Sequence, residues 1–219
     1  MSTLKSSTRL KCARCIRPAS HCLCTYISTV SNRIQVLVLQ HPNEQKHPLN
    51  TGRLAVLGLQ NAELLIGEHF PQLKEKLAAV ESAFLLFPAN EHSAIQPLAA
   101  IAEPVSTLLI VPDGTWRNVR KIIQMNPILS ILPHLSLAEG EPSQYRVRKT
   151  REKAAVSTIE AIVRTLTVLE PEHDFLPLLR PFNLLIKQQI QAMGVEVYER
   201  NYIAPADSRW LRFTCLCRL

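Results

Sequence analysis

Leu108-Leu109-Ile110-Val111-Pro112-Asp113-Gly114-Thr115-Trp116 is the stretch that decides the fold. A short apolar run closed by Pro-Asp-Gly reads as a buried strand that hands its last residues to a loop. The basic stretch Arg117-Asn118-Val119-Arg120-Lys121 follows at once and is spaced as a helix. Strand, loop and helix in this order place one carboxylate and one large ring at the carboxyl edge of a sheet. Open α/β sheets bind ligands at that edge. The same residues also fit an ordinary helix start, because Asp and Thr are common N-cap residues.

Outward from this point, strands alternate with helices. Strands are expected over Ile34–Leu39, Ala62–Ile66, Ser82–Phe87, Thr107–Val111, His134–Leu137 and Tyr145–Arg148. Helices are expected from Arg53, over Leu73–Val80, Ile95–Ala102, Arg117–Met125, Ala154–Leu169 and Pro181–Met193, the last stopped by Gly194 at its C-cap. Within Ala154–Leu169, Val156, Ile159, Ile162, Val163 and Leu166 share one face. The pattern predicts an α/β fold with a mainly parallel sheet. Six glycines and no G-x-G-x-x-G or P-loop pattern argue against dinucleotide dehydrogenases and P-loop NTPases. The apolar runs are too short to span a bilayer, and residues 1–17 lack an apolar signal core. The expected location is the cytoplasm, with no membrane and no protein partner implied.

The charge is +7 and unevenly spread. Residues 1–43 hold Lys5, Arg9, Lys11, Arg14, Arg17 and Arg33 and no acid, and a second basic run spans Arg146–Lys153. Arg-rich patches suit phosphate oxygens, so nucleic acid is the expected partner, against a plainly solvated basic surface. Four cysteines fall in the acid-free segment as Cys12-x2-Cys15-x6-Cys22-x-Cys24. In a reducing compartment this clustering favours a structural zinc over disulfides, with reduced surface thiols as the alternative. Cys215 and Cys217 form a separate C-terminal pair. The expected division is a cysteine-rich zinc knuckle at residues 1–30 and a catalytic domain at residues 31–219.

Four stretches in order carry a family resemblance: Cys12-x2-Cys15-x2-Pro18-x3-Cys22-x-Cys24; Gln40-His41-Pro42-x-Glu44-x2-His47-Pro48-x-Asn50-Thr51-Gly52-Arg53; Pro112-Asp113-Gly114-Thr115-Trp116; and Tyr145–Glu152 leading into Val156-Ser157-Thr158-Ile159-Glu160. Together they resemble the DTW-domain family, the bacterial tRNA-uridine aminocarboxypropyltransferases. Here a Gly stands between the Asp and the Thr of the family's motif. The resemblance implies a SPOUT-like α/β fold, with a C-terminal trefoil knot as an option. It implies tRNA as partner and S-adenosylmethionine as cosubstrate. Its 3-amino-3-carboxypropyl arm would move to N3 of a tRNA uridine, releasing methylthioadenosine.

Several roles follow from that implied chemistry. The pocket must aim the arm's γ-carbon at the nucleophile and hide the methyl, which asks for positioning. Leu86, Phe87 and Pro88 could wall off the methyl, or be an ordinary strand end. Pro112, Gly114, Thr115 and Trp116 would form the cosubstrate loop, and Trp116 would stack a base or pack in the core. Ala155, Val156, Ser157 and Thr158 would offer backbone N–H groups and hydroxyls to the arm's carboxylate, or simply cap a helix. Asp113 is the expected base for the uridine N3 proton, with hydrogen bonding to the substrate amine or a ribose as its other role. Glu160 and Glu44 are weaker candidates. His41 and His47 would touch RNA or the pocket, or serve structure. Arg117, Arg120, Lys121, Arg148, Lys149 and Arg151 are the expected phosphate contacts. Two other functions fit part of the pattern: a SPOUT-type RNA methyltransferase, and a non-catalytic zinc-dependent RNA-binding module.

Overall fold

The computed structural model describes residues 10–47, 49–88, 95–96, 106–137, 143 and 156–203. Among the described residues six strands, β1 (Gln35–Gln40), β2 (Ala62–Ile66), β3 (Ser82–Leu86), β4 (Ile95–Gln96), β5 (Thr107–Asp113) and β6 (His134–Leu135), form one sheet in the order β2-β1-β5-β3-β6-β4. Every neighbouring pair is parallel. The centre is the β1–β5 pair, in register from Gln35 opposite Leu108 to Gln40 opposite Asp113.

These two strands are near-continuous apolar runs because both faces of the sheet are covered. Successive side chains alternate faces. Val36, Val38, Leu109 and Val111 enter a core with α2 (Thr51–Gly58), α5 (Thr158–Leu169) and α6 (Leu179–Met193). Leu37, Leu39, Leu108 and Ile110 enter the opposite core with α3 (Leu73–Ala78) and α4 (Trp116–Met125). Two further short helices are α1 (Pro42–Gln45) and, after Gly194, α7 (Val195–Tyr198). The fully buried Glu170 carboxylate accepts from the amides of Arg33 (2.8 Å) and Ile34 (2.9 Å), which pins the start of β1 to the end of α5.

The α/β class and parallel sheet agree with the sequence expectation, and three elements differ from it. Ile95, expected to open a helix, lies in β4 and pairs with His134 of β6. Short apolar runs do not separate helix from strand, and here an available sheet edge decides. The remainder of Ile95–Ala102, and Tyr145–Arg148, lie outside the described residues. Helix α5 starts at Thr158 and not at Ala154, because Ser157 takes the N-cap. Helix α2 starts at Thr51, ahead of Arg53, because Asn50 caps it.

Residues 10–30 pack into the same core as the rest of the chain. Leu23 is fully buried in the α2–α5–α6 cluster, with Ile27 and Val30 against it. The buried Arg17 donates from Nε to the His21 carbonyl (2.9 Å) and from Nη2 to Gln188 Oε1 on α6 (2.9 Å). Among the described residues no helix is long and apolar enough to cross a membrane.

Candidate functional site

A cavity of about 290 Å³ opens at the carboxyl ends of β3, β5 and β6. One side is Leu86, Phe87 and Pro88, where β3 ends. Another is Val111, Pro112 and Gly114, where β5 ends, with Trp116 and Val119 of α4. Leu135, Ser136 and Leu137 follow β6, and Val156, Thr158 and Ala161 come from the start of α5. A larger cavity, about 450 Å³, lies at the opposite end of the strands beside Gln35, Glu63, Lys76 and Leu108. The carboxyl-edge cavity is the candidate site, because parallel sheets gather converging loops and helix starts at that edge.

Eight of the residues expected at a cosubstrate pocket line this cavity: Leu86, Phe87, Pro88, Pro112, Gly114, Trp116, Val156 and Thr158. Thr115 and Ser157 do not. They cap α4 and α5 through side-chain oxygens that accept from the amides of Asn118 and Glu160. Ala155 lies outside the described residues. Trp116 is 39% exposed, at the cavity and not in the core, and its ring is tilted 54° to that of Phe87 with ring centroids 5.4 Å apart. Sequence reading missed Val111, Val119, Leu135, Ser136, Leu137 and Ala161. The signal for Leu135–Leu137 was the strand-end position itself, and Ala161 follows Thr158 by one helical turn.

Asp113 is 7% exposed, stands beside the cavity and is not part of its lining. Its Oδ2 accepts from Gln40 Nε2 (2.7 Å) and its Oδ1 from Thr158 Oγ1. Glu160 is buried and accepts from the Ser157 amide (2.8 Å), the Ser157 hydroxyl (2.7 Å) and the Ser143 hydroxyl (2.7 Å). That is a capping box on α5, and it occupies the carboxylate. Glu44 lies in α1, and its carbonyl accepts from Asn50.

The buried His41 accepts at Nδ1 from the Asn43 amide (3.2 Å), so Nε2 donates to Glu68 Oε1 (2.8 Å). Lys121 Nζ sits 2.7 Å from the other Glu68 oxygen. Lys121, and secondarily His41, hold the Glu68 carboxyl below the usual carboxylate range. His47 accepts from the Leu49 amide at 3.2 Å, a local turn bond. Both histidines thus have structural partners.

The four N-terminal cysteines converge. Cys12 and Cys24 sulfurs stand 3.6 Å apart, Cys15 and Cys22 3.8 Å, and all four lie within 4.8 Å of one another. A tetrahedral zinc with Zn–S bonds of about 2.3 Å requires sulfurs about 3.8 Å apart, so the spacing fits. Backbone N–H groups of Cys15 and Arg14 pull the Cys12 thiol down to about 6. Burial and neighbouring sulfurs push Cys24 up to about 12. Four sulfurs this close cannot all be thiolates unless a cation joins them. The turn from Cys15 into Arg17 holds Ile16 at φ 61°, a left-handed conformation that costs a β-branched residue about 1–2 kcal/mol. Cys215 and Cys217 lie outside the described residues. Glu170, Glu172 and His173 also come together. There Glu170 already holds two backbone amides and Glu172 pairs with Arg33, so the cluster is a clamp on β1.

The profile of the DTW domain matches residues 9–190 of this chain. The chain belongs to the DTW-domain family. It is similar to proteins named tRNA-uridine aminocarboxypropyltransferase 2 in Drosophila melanogaster and in Mus musculus. The fly protein is 28% identical over 205 residues, covering 89% of this chain and 81% of that protein. The mouse protein is 28% identical over 192 residues, covering 84% of this chain and 64% of that protein. An Arabidopsis thaliana protein named tRNA-uridine aminocarboxypropyltransferase A is 23% identical over 229 residues, covering 90% and 84%. No solved structure matches the chain.

The DTW domain carries an exposed cationic face beside its cavity. Arg117, Arg120 and Lys121 are exposed on α4, with Trp116 on the first turn of the same helix. Lys121 shares its charge with Glu68, while Arg117 and Arg120 extend the face. Arg148, Lys149 and Arg151 lie outside the described residues.

Proposed function

We propose that this protein is a cytoplasmic tRNA-uridine aminocarboxypropyltransferase. It moves the 3-amino-3-carboxypropyl arm of S-adenosylmethionine to N3 of a tRNA uridine. The observation that carries the reading is the cavity at the carboxyl edge of the sheet, built from the DTW motifs and bordered by an exposed Trp and arginines. The names of its relatives agree with it.

In the reaction N3 gives its proton up to solvent and attacks the arm's γ-carbon. The carbon–sulfur bond breaks, and the sulfonium leaves as neutral methylthioadenosine. The electron pair of the broken bond stays on sulfur, so the leaving group needs no acid. What remains for the protein is orientation: the γ-carbon must face N3, and the more reactive methyl must not. Leu86, Phe87 and Pro88 offer an apolar wall for that screening. Trp116 offers a face for a uridine splayed from its loop, as RNA recognition commonly requires. Arg117, Arg120 and Lys121, with Arg148, Lys149 and Arg151, would meet the backbone phosphates. The N-terminal amides of α5 suit the arm's carboxylate. The sequence expectation for the N3 proton is Asp113; its place beside the cavity, bound at both oxygens, supports a different role for it.

The fold reading extends to a SPOUT-type domain with a C-terminal knot. Cys12, Cys15, Cys22 and Cys24 would hold one zinc, whose contribution is structural. The deciding experiment is incubation of the protein with unmodified tRNA and S-adenosylmethionine, followed by nucleoside mass analysis. The expected product is aminocarboxypropyluridine. A methylated nucleoside would instead make the protein a methyltransferase, and an unchanged tRNA would leave a binding module.

A further inference from the structure

Asp113 is one end of a closed polar network. Gln40 sends one amide hydrogen to Asp113 Oδ2 (2.7 Å) and the other to Asn50 Oδ1 (2.9 Å). Asn50 returns one hydrogen to Gln40 Oε1 (3.1 Å) and gives its other to the Glu44 carbonyl (3.1 Å). Asn50 Oδ1 also caps α2 by accepting from the Arg53 amide (3.0 Å). All four amide hydrogens of Gln40 and Asn50 are used. A carboxylate can only accept, so Asp113 forces Gln40 to face it with its NH₂, and this fixes the orientation of Asn50 in turn. The other carboxylate oxygen takes the Thr158 hydroxyl at the first turn of α5. Gln40 is fully buried. Gly52 completes the fit, since a Cβ there would stand 2.6 Å from Asp113 Oδ2 and 3.3 Å from Val38.

The residues on either side of Asp113, Pro112 and Gly114, line the cavity, and so does Thr158. We propose that Asp113 is a positioning residue: its carboxylate orients the Gln40–Asn50 amide pair and holds Thr158, so that the β5 loop and the start of α5 stand as fixed adjoining walls of the cavity. The assay for this role rests on the transfer reading; the geometry does not. Gln40 and Asn50, far from Asp113 in sequence, belong to the same device.

The test separates positioning from proton abstraction. Asp113→Asn keeps both contacts: its Oδ1 accepts from Gln40, and its Nδ2 donates to the Thr158 hydroxyl, which can accept. Asp113→Ala keeps neither. Each variant is compared with the parent for single-turnover transfer across neutral pH, and for S-adenosylmethionine affinity by calorimetry. The expected result is that Asp113→Asn stays within about tenfold of the parent with the same pH profile. Asp113→Ala and Thr158→Val should bind the cosubstrate about tenfold or more weakly, the scale of a buried partner left unsatisfied, and Thr158→Ser should recover most of that loss. The proposal is overturned if Asp113→Asn loses about a hundredfold or more with a flattened pH profile and unchanged cosubstrate affinity, the behaviour of a general base. Hydrogen exchange over residues 156–161 gives a readout that needs no ligand, so a failure of the transfer reading stays distinguishable. Exchange should quicken in Asp113→Ala and Thr158→Val and remain near the parent in Asp113→Asn. Equal exchange in Asp113→Ala and the parent also overturns the proposal.

Discussion

Trp116 sits where two of its ordinary fates compete. A Trp more often ends in a core, and the helix after it has an apolar face that could have taken it. Instead Val119 and Ile122 fill that face, and Trp116 stays 39% exposed with its ring against Phe87. An exposed ring at a cavity rim, on a helix bearing exposed arginines, suits a nucleobase. Stacking a base on an aromatic ring is worth about 1–3 kcal/mol, so Trp116→Leu should raise the tRNA KM by about tenfold or more, with Trp116→Phe between. Steady-state kinetics against tRNA and against cosubstrate decide it: a change confined to the cosubstrate KM would place the ring against that molecule. At this scale the sequence was informative about which residues gather. Pro112, Gly114, Trp116 and Thr158 were legible because motifs and strand ends point to edges. Their division of labour was not. Nothing in the sequence tells a carboxylate that lines a cavity from one that braces the wall behind it, since Gln40 and Asp113 meet only through strand pairing.

Among the elements, α5 contributes a cavity wall with its first turn and a core face with the rest. Its start is set by a complete capping box, with Ser157 and Glu160 satisfying each other's backbone amides. Ser157→Ala should therefore destabilise the protein by about 1–2 kcal/mol, since the cap is lost and a buried Glu160 is left with fewer partners. Urea unfolding measures this as a shift in midpoint at constant slope; an unshifted midpoint would mean the box contributes nothing. The Val156-Ser157-Thr158-Ile159-Glu160 string shows this capping pattern to the eye, yet the apolar periodicity runs through it and drew the expected start back to Ala154. Ile95 failed for the opposite reason. Its two-residue strand depends on the edge offered by β6, a fact of tertiary pairing that no local window contains.

Across the whole molecule, the cysteine-rich segment and the sheet domain share one core. Leu23 is buried among residues of α2, α5 and α6, and Arg17 ties the knuckle to Gln188. Spacing suggested a separate zinc unit at residues 1–30, because composition shifts there; packing across residue 30 is invisible to composition. The consequence is testable. Structural zinc in small sites contributes about 10–16 kcal/mol, comparable with the whole stability of a domain. Chelation should release about one zinc per chain and lower the single thermal transition of the entire protein by about 20 °C or more, at about 2–4 °C per kcal/mol for a domain of this size, with no separate knuckle transition. Metal-free protein that melts at the temperature of the zinc-loaded form would refute this coupling.

The β1–β5 pairing at the centre of the sheet has a consequence for how the chain is made. Strand β1 leaves the ribosome before its partner β5, which is translated only after β2, α3, β3 and β4 have appeared. Until then β1 has β2 on one edge and nothing on the other, so two hydrophobic faces wait on a late arrival. Loop closure over so long a span is slow, and exposed strand edges invite wrong partners meanwhile. Until β5 is made, the strands before it lack their central partner. The pocket comes into being only when α5, which follows every strand of the sheet in chain order, docks.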